Sequence, residues 1–294
     1  MKVFVTGARG QLGYDVKKEL IARGYDCVCS GTLEMPEKDY IQLDITDKAA
    51  VDRVLAAVRP DAVIHCAAWT AVDAAEDPDN REKVFAVNAY GTKNIAEACK
   101  TIDCKLLYIS TDYVFNGQGE TPWQPDCKDY SPLNVYGKSK LEGELAVAET
   151  LNNYYIVRTS WVFGLNGNNF VKTMINAGKK NDTVRVVNDQ IGTPTYTFDL
   201  AKLLVEMIGT DKYGYYHATN GGGYISWYDF CCEIYRQYGL STKVVSVTTA
   251  EYGANRAARP LNSRLDKRKL IESGFTMLPD WQDAVKRYLA EAKL

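Results

Sequence analysis

What this chain lacks narrows its chemistry before any motif is read. It holds only two histidines, His65 and His217, and its eight cysteines include no Cys-x-x-Cys pair. No bound metal is therefore expected, since zinc sites need such ligands at set spacings. Cys27, Cys29, Cys66, Cys99, Cys104, Cys127, Cys231 and Cys232 are scattered through a long chain, which favours reduced thiols over a disulfide framework. A dominant charge is missing too: 35 basic against 37 acidic residues leave a net charge of -2. Nucleic acid and anionic membrane surfaces are thus not expected partners. No apolar run reaches the ~18 residues of a membrane span, and a first strand beginning at Lys2 leaves no room for a secretory leader, so a cytoplasmic location is expected. There is no Pro/Gly/Ser-rich linker, internal repeat or low-complexity segment.

What is present is a core-forming composition, 46% hydrophobic over 294 residues, enough for one sizeable α/β unit or a main domain with a smaller lobe. Short apolar runs at Val3 to Thr6, Asp26 to Cys29, Ile41 to Leu43, Ala62 to Cys66, Lys105 to Ser110 and Tyr154 to Thr159 read as strands. Between them, helical patterns run over Gln11 to Arg23, Asp47 to Val58, Pro78 to Lys100 and about Leu133 to Glu149. Strands without internal alternation, separated by amphipathic helices, predict a doubly wound parallel sheet of the Rossmann type. Beyond about residue 160 come Gly/Asn turns at Gly164 to Asn169 and Asn220 to Gly223, with helical stretches near Thr197 to Ile208 and Ser226 to Tyr238. The expectation is a dinucleotide-binding domain over 1–160 and a smaller, mainly substrate-binding lobe over 161–294, interwoven with the first.

The first strand runs into Gly7-Ala8-Arg9-Gly10-Gln11-Leu12-Gly13. In this arrangement Gly7 allows a tight turn, Gly10 lets backbone approach a pyrophosphate, and Gly13 lets the helix pack on the strand, while the helix N-terminus offers N–H groups. The alternative is an ordinary strand-to-helix turn; the position at the start of a β-α-β pattern favours dinucleotide binding. Asp44-Ile45 ends the third strand, where the carboxylate can take an adenine amino group and the isoleucine can flank the ring, or Asp44 can simply cap a helix. His65-Cys66-Ala67-Ala68 ends the fourth in small side chains that leave room for a ring system. His65 itself reads as a strand residue, with no carboxylate or nucleophile motif beside it.

Tyr136-Gly137-Lys138-Ser139-Lys140 is a Tyr-x-x-x-Lys pattern at the start of a helix, so Tyr136 and Lys140 share a face. A nearby ammonium is expected to lower the phenol's pKa from ~10, fitting Tyr136 to give a proton to a carbonyl oxygen. Alone the pattern is equally a surface pair. About 25 residues earlier, however, the strand ends in Ser110-Thr111-Asp112-Tyr113-Val114-Phe115, where the Thr111 hydroxyl can hold the same carbonyl. Glycine loop, hydroxyl strand end and Tyr-x-x-x-Lys in this order predict an oxidoreductase.

With these segments, and with Ser131-Pro132-Leu133-Asn134-Val135, Arg158-Thr159-Ser160-Trp161-Val162, Gly167-Asn168-Asn169-Phe170, Asn188-Asp189-Gln190 and Arg259-Pro260-Leu261-Asn262-Ser263-Arg264, the chain resembles the extended short-chain dehydrogenase/reductases over essentially its whole length, and within them the dTDP-4-dehydrorhamnose reductases. The resemblance implies reduction of the 4-keto group of dTDP-4-dehydro-L-rhamnose with NADPH or NADH. It puts Tyr136 as acid, Lys140 as its partner and Thr111 as the hydroxyl. It makes Gly10, Gln11, Leu12, Asp44, Ile45, Ala68, Trp69 and Thr70 cofactor contacts, and Thr111, Asp112, Tyr136 and Trp161 substrate contacts. Trp161 also reads as core filler at a strand end, though its flat face suits a sugar ring. Two departures stand out: Ser30-Gly31-Thr32 replaces the acid some relatives carry after the second strand, and of the acidic set that binds Mg²⁺ at some dimer interfaces only Asp15 is recognisable. A monomer or weak homodimer is therefore expected.

Three further expectations concern ligands and rivals. Arg259 and Arg264 are candidates for the substrate diphosphate, each with a structural salt bridge as the alternative. Arg9, with Ser30 and Thr32 carrying no charge, predicts that NADPH is used at least as well as NADH. A dehydratase or epimerase shares the fold, but a dehydratase of this kind needs an acid where Tyr113 stands; a non-catalytic regulatory subunit is opposed by the intact Thr111, Tyr136 and Lys140.

Overall fold

In a computed structural model, which describes residues 1–253, 256–292 and 294, the first half alternates strand and helix. The elements are β1 (Lys2–Thr6), α1 (Gln11–Ala22), β2 (Asp26–Gly31), β3 (Tyr40–Gln42), α2 (Lys48–Val58), β4 (Ala62–His65), α3 (Val72–Ala75), α4 (Pro78–Phe85), α5 (Thr92–Thr101), β5 (Lys105–Thr111), α6 (Val135–Thr150) and β6 (Tyr154–Thr159). The second half is more broken: β7 (Val162–Phe163), α7 (Phe170–Lys180), β8 (Thr183–Val187), β9 (Ile191–Gly192), β10 (Thr195–Tyr196), α8 (Thr197–Ile208), β11 (Gly214–His217), β12 (Ile225–Ser226), α9 (Trp227–Tyr238), β13 (Lys243–Val247), α10 (Thr249–Tyr252), α11 (Arg268–Glu272) and α12 (Trp281–Ala292).

Seven strands form one sheet in the order β11-β6-β5-β4-β1-β2-β3, and every pair in it is parallel. Both faces are covered, as a parallel sheet requires. One apolar layer joins Val16 and Leu20 of α1 to Leu200 and Leu204 of α8, and the other packs Leu55, Ile95, Cys99 and Val147 of α2, α5 and α6 against Phe4, Leu106 and Ile156. The strand order reverses between β1 and β4, so the carboxyl ends of those strands open a crevice where such sheets bind ligands. A separate cluster of Phe163, Ile175, Phe230, Trp281 and Tyr288 forms the core beneath the C-terminal elements.

Two differences from the sequence reading have clear causes. The stretch 78–101 is not one regular helix: residues Ala86–Gly91 widen into a π turn between α4 and α5. That turn carries Asn88, whose side chain accepts from the Trp69 N–H at 2.8 Å and donates to the Trp69 carbonyl and Ser139 hydroxyl; such bulges trade regular bonding for a placed side chain. The seventh strand, β11, pairs with β6 over only four residues at the sheet edge, too short a run, and too rich in tyrosine, to stand out in the sequence.

Candidate active site

Several of the residues singled out in the sequence meet along one cleft of about 800 Å³ between the sheet's carboxyl edge and the C-terminal elements. Gly10, Gln11, Leu12, Gly13, Ala68, Thr70, Thr111, Asp112, Tyr136, Lys140, Trp161 and Arg259 all line it. At the cofactor end, Gly7 adopts φ +62°, and a Cβ there would lie 2.6 Å from the Ala67 nitrogen, so the turn needs glycine. Gly10 precedes α1 with no side-chain cap, so first-turn N–H groups remain available to an anion. This glycine cradle, with small Ala68 beside it, fits a dinucleotide pyrophosphate.

Other expected cofactor residues sit off the cleft lining. Ile45 is buried, where its side chain packs by Gly91. Asp44 turns its carboxylate onto the Thr46 N–H and hydroxyl, at 2.9 and 2.8 Å. It is not a helix cap either, because Asp47 caps α2. Trp69 is tied by its backbone to Asn88, and Arg9 is exposed on the glycine loop with its carbonyl bonded to Asn166 at 2.6 Å. His65 is fully enclosed, between the Thr6 hydroxyl at 2.6 Å and the Thr92 hydroxyl at 3.1 Å. Burial pushes its imidazole down to about 3, so it stays neutral and structural.

At the chemical end, Gly137 lets the first turn of α6 lie against the turn after β5, since a Cβ on it would overlap the Tyr113 carbonyl oxygen. Asn134 caps that helix through the Gly137 N–H at 2.7 Å. Tyr136 is thereby held beside Thr111, with its ring edge to face against Tyr113 at 5.7 Å. Lys140, one turn on, donates to the Ile109 carbonyl at 2.7 Å and lies 4.1 Å over the Tyr108 ring. Desolvation drives its ammonium down to about 7, only partly countered by Glu144.

One electrostatic expectation is corrected here. The Tyr136 phenol is raised rather than lowered, because burial and the Asp112 carboxylate outweigh the Thr111 hydroxyl. The phenol is therefore held protonated, which is the form that gives a proton in a reduction. Asp112 itself, buried and bonded by Thr111 at 3.0 Å and by Ser263, is raised to about 6, mainly by desolvation.

Trp161 is part wall, part core. It takes a left-handed backbone, φ +50°, stacks on Trp227 at 3.8 Å, and crosses Gly192, where a Cβ would come within 2.9 Å of the indole. Trp161 thus lines the cleft while its indole packs against Trp227 and Gly192. The two candidate arginines divide. Arg259 lines the cleft, clamped by Nη2 to Asp73 at 2.7 Å while its Nη1 is buried without a partner. Arg264 does not line it, because its guanidinium folds back on the Asn262 side chain of its own turn at 3.0 Å. Among the cleft residues the sequence reading missed are Arg185, Gln190, Trp227 and Tyr252; Arg185 is the polar interruption in the otherwise apolar Val184 to Val187 run.

Similarity to known proteins agrees with this geometry. The family model described as RmlD substrate binding domain matches residues 1–294. A dTDP-4-dehydrorhamnose reductase of Streptomyces griseus is 42% identical, covering 96% of this chain and 90% of that one. The chain belongs to the dTDP-4-dehydrorhamnose reductase family. The Bacillus subtilis spore coat polysaccharide biosynthesis protein SpsK is 39% identical over 99% of this chain and 97% of its own length. The crystal structure of the Bacillus anthracis dTDP-4-dehydrorhamnose reductase in complex with NADP superposes with a TM-score of 0.90 at 40% identity, covering 99% of this chain and 100% of that one. Among the described residues no helix is long and apolar enough to cross a membrane, and no group of three or more His, Cys, Asp or Glu residues is placed to hold a metal ion. Asp15 is instead buried under the Thr197 hydroxyl at 2.5 Å.

Proposed function

We infer that this chain reduces the 4-keto group of dTDP-4-dehydro-L-rhamnose to give dTDP-L-rhamnose, with NADPH or NADH as reductant. The observation that carries the reading is the convergence of Tyr136, Thr111 and Lys140 on a cleft whose other end is the glycine loop. When bound, the reduced nicotinamide supplies hydride to the sugar carbonyl. Tyr136, kept protonated by its surroundings, gives its phenolic proton to the carbonyl oxygen as charge develops there. Lys140, fixed by the Ile109 carbonyl one turn along the helix from Tyr136, is the cation that would steady the resulting phenolate and hold the cofactor ribose. Trp161, on the cleft wall, is assigned to the sugar ring.

The diphosphate is assigned to Arg259 and Arg185, the two cleft guanidiniums, with the unpartnered Arg259 Nη1 the nearer to hand. The substrate lobe is assigned to the elements after residue 160, the cytoplasm is the location that eight unpaired thiols favour, and the working unit is a monomer or weak homodimer. The deciding assay is NADPH consumption with a panel of dTDP-4-keto-6-deoxy sugars and identification of the product. Turnover with none of them would overturn the reading.

A further inference from the structure

We propose that Ser263, 151 residues from the strand end it touches, is a positioning residue of the reduction: its hydroxyl fixes the Asp112 carboxylate, which in turn fixes the hydroxyl of Thr111. This rests on the reading of the cleft as a ketoreductase site. Asp112 is the first residue after β5 and is 2% exposed. Among the described residues it forms no salt bridge. Its two carboxylate oxygens are divided between two side-chain hydroxyls: Thr111 donates to Oδ1 at 3.0 Å, and Ser263 donates to Oδ2.

A hydroxyl has one proton. Thr111 spends its proton on Asp112 and accepts from the Tyr113 N–H at 3.2 Å, so its rotor is set and a lone pair is what it presents to the cleft, in place of the donated proton that the sequence suggested would hold the carbonyl. Loss of the Asp112 charge would free that proton and reverse the polarity Thr111 presents. Ser263 guards against this. It is itself pinned from outside the first half of the chain: its N–H donates to the Ile191 carbonyl at 2.8 Å, while the neighbouring Asn262 N–H donates to the Gly117 carbonyl at 2.8 Å. The segment around Ser263 thereby ties the C-terminal elements to the turn that carries the reacting groups.

The groups facing Asp112 are the phenols of Tyr113 and Tyr136, with Arg259 beside Tyr113. None is a carboxylate, and the two hydroxyls are the side-chain groups that hold its pKa down against desolvation. Removing one of two donors to a buried carboxylate raises its proton affinity by about one pH unit.

The test is a carbon NMR titration of the Asp112 carboxyl in the parent and in Ser263→Ala, run beside the pH profile of kcat/KM, with Asp112→Asn and the double variant for comparison. Expected is an upward shift of about one unit in both the carboxyl titration and the acid limb of kcat/KM, unchanged NADPH affinity, and no further loss from Ser263→Ala once Asp112 is asparagine. An unmoved carboxyl titration in Ser263→Ala would overturn the proposal. So would a uniform fall in kcat/KM at every pH, which is what a merely loosened fold produces. If the parent fails to turn over the keto sugar, the reading of the reaction fails, and the carboxyl titration still decides whether Ser263 holds Asp112.

Discussion

Helix α6 buries two charged side chains one turn apart and treats them in opposite ways. Glu144 is wholly enclosed and meets Arg158 from β6 in a two-pronged ion pair at 2.8 and 2.7 Å. Arg158 has its other donors met by the Pro125 carbonyl and the Tyr130 hydroxyl, and its guanidinium is flanked by the Phe115 and Tyr215 rings. Lys140 has no such partner. It has a backbone carbonyl, an aromatic face and a lowered pKa. Matched charges hold the sheet to its helix, whereas the unmatched one lies in the cleft, where incoming chemistry can use it.

The largest effect that can sharpen this contrast belongs to the group Lys140 serves. Tyr136→Phe should lower turnover by about 10²- to 10⁴-fold, the usual contribution of a positioned acid, with NADPH binding by fluorescence titration nearly unchanged. Turnover close to the parent's would mean that this end of α6 is not chemical at all.

Next comes the structural pair. Glu144→Gln leaves the Arg158 charge buried and uncompensated, at an expected cost of about 3–5 kcal/mol, measured by denaturant unfolding. The double variant Glu144→Gln with Arg158→Met should recover much of that loss, because no buried charge is then left alone. A cost below about 1 kcal/mol for the single variant would remove the distinction between the two sites.

The sequence carried unequal information about these regions. The strands β1, β5 and β6 and the Tyr-x-x-x-Lys turn were legible because their signals are local: an apolar run, a glycine spacing, a helical repeat. Arg185 was not, because the strand that brings it to the cleft, β8, has five residues and pairs with the distant β13; the segments of Ser263 and Gln190 stood out, but their contacts did not, since neither residue lies in a regular element and each bonds a side chain far along the chain. Asn88 was hidden for another reason, since a π turn inside a helical pattern leaves no periodic mark. The rise in the Tyr136 pKa could not be read either; residue order gives the neighbours of a phenol but not how dry they are.

A smaller effect separates stability from activity at Lys140. Its folded pKa, about 7, lies below the ordinary 10.5, so between those values the unfolded chain binds the extra proton and stability rises with pH. The burial cost is fully present below about pH 7 and disappears as pH rises toward 10.5. Lys140→Met should therefore melt a few degrees higher than the parent at pH 6, with the gap narrowing by pH 9, while turnover and NADPH affinity fall. Calorimetry at the two pH values checks it: a variant that melts lower at pH 6 would place Lys140 with Glu144 among the structural charges.

The smallest effect concerns Arg9, a second cation without a carboxylate partner among the described residues but, unlike Lys140, in water. It stands on the glycine loop near the Tyr40 phenol, whose pKa it helps to restrain, and the neighbouring end of β2 carries Ser30 in place of an acid. An acid there would repel a ribose 2′-phosphate; a serine does not. Solvent exposure reduces what the guanidinium contributes, because an exposed charge pair is worth ~0.2–1 kcal/mol and a charge-assisted bond to phosphate at best ~1.5–3 kcal/mol. Arg9→Ala is accordingly expected to lower kcat/KM with NADPH by about threefold to tenfold and to leave the NADH value within about twofold, with the NADPH effect shrinking as salt is added. Equal losses with both cofactors would show that Arg9 shapes the loop without reading the phosphate, and a parent that strongly prefers NADH would show that the unmatched cation at this end of the cleft has no anion to wait for.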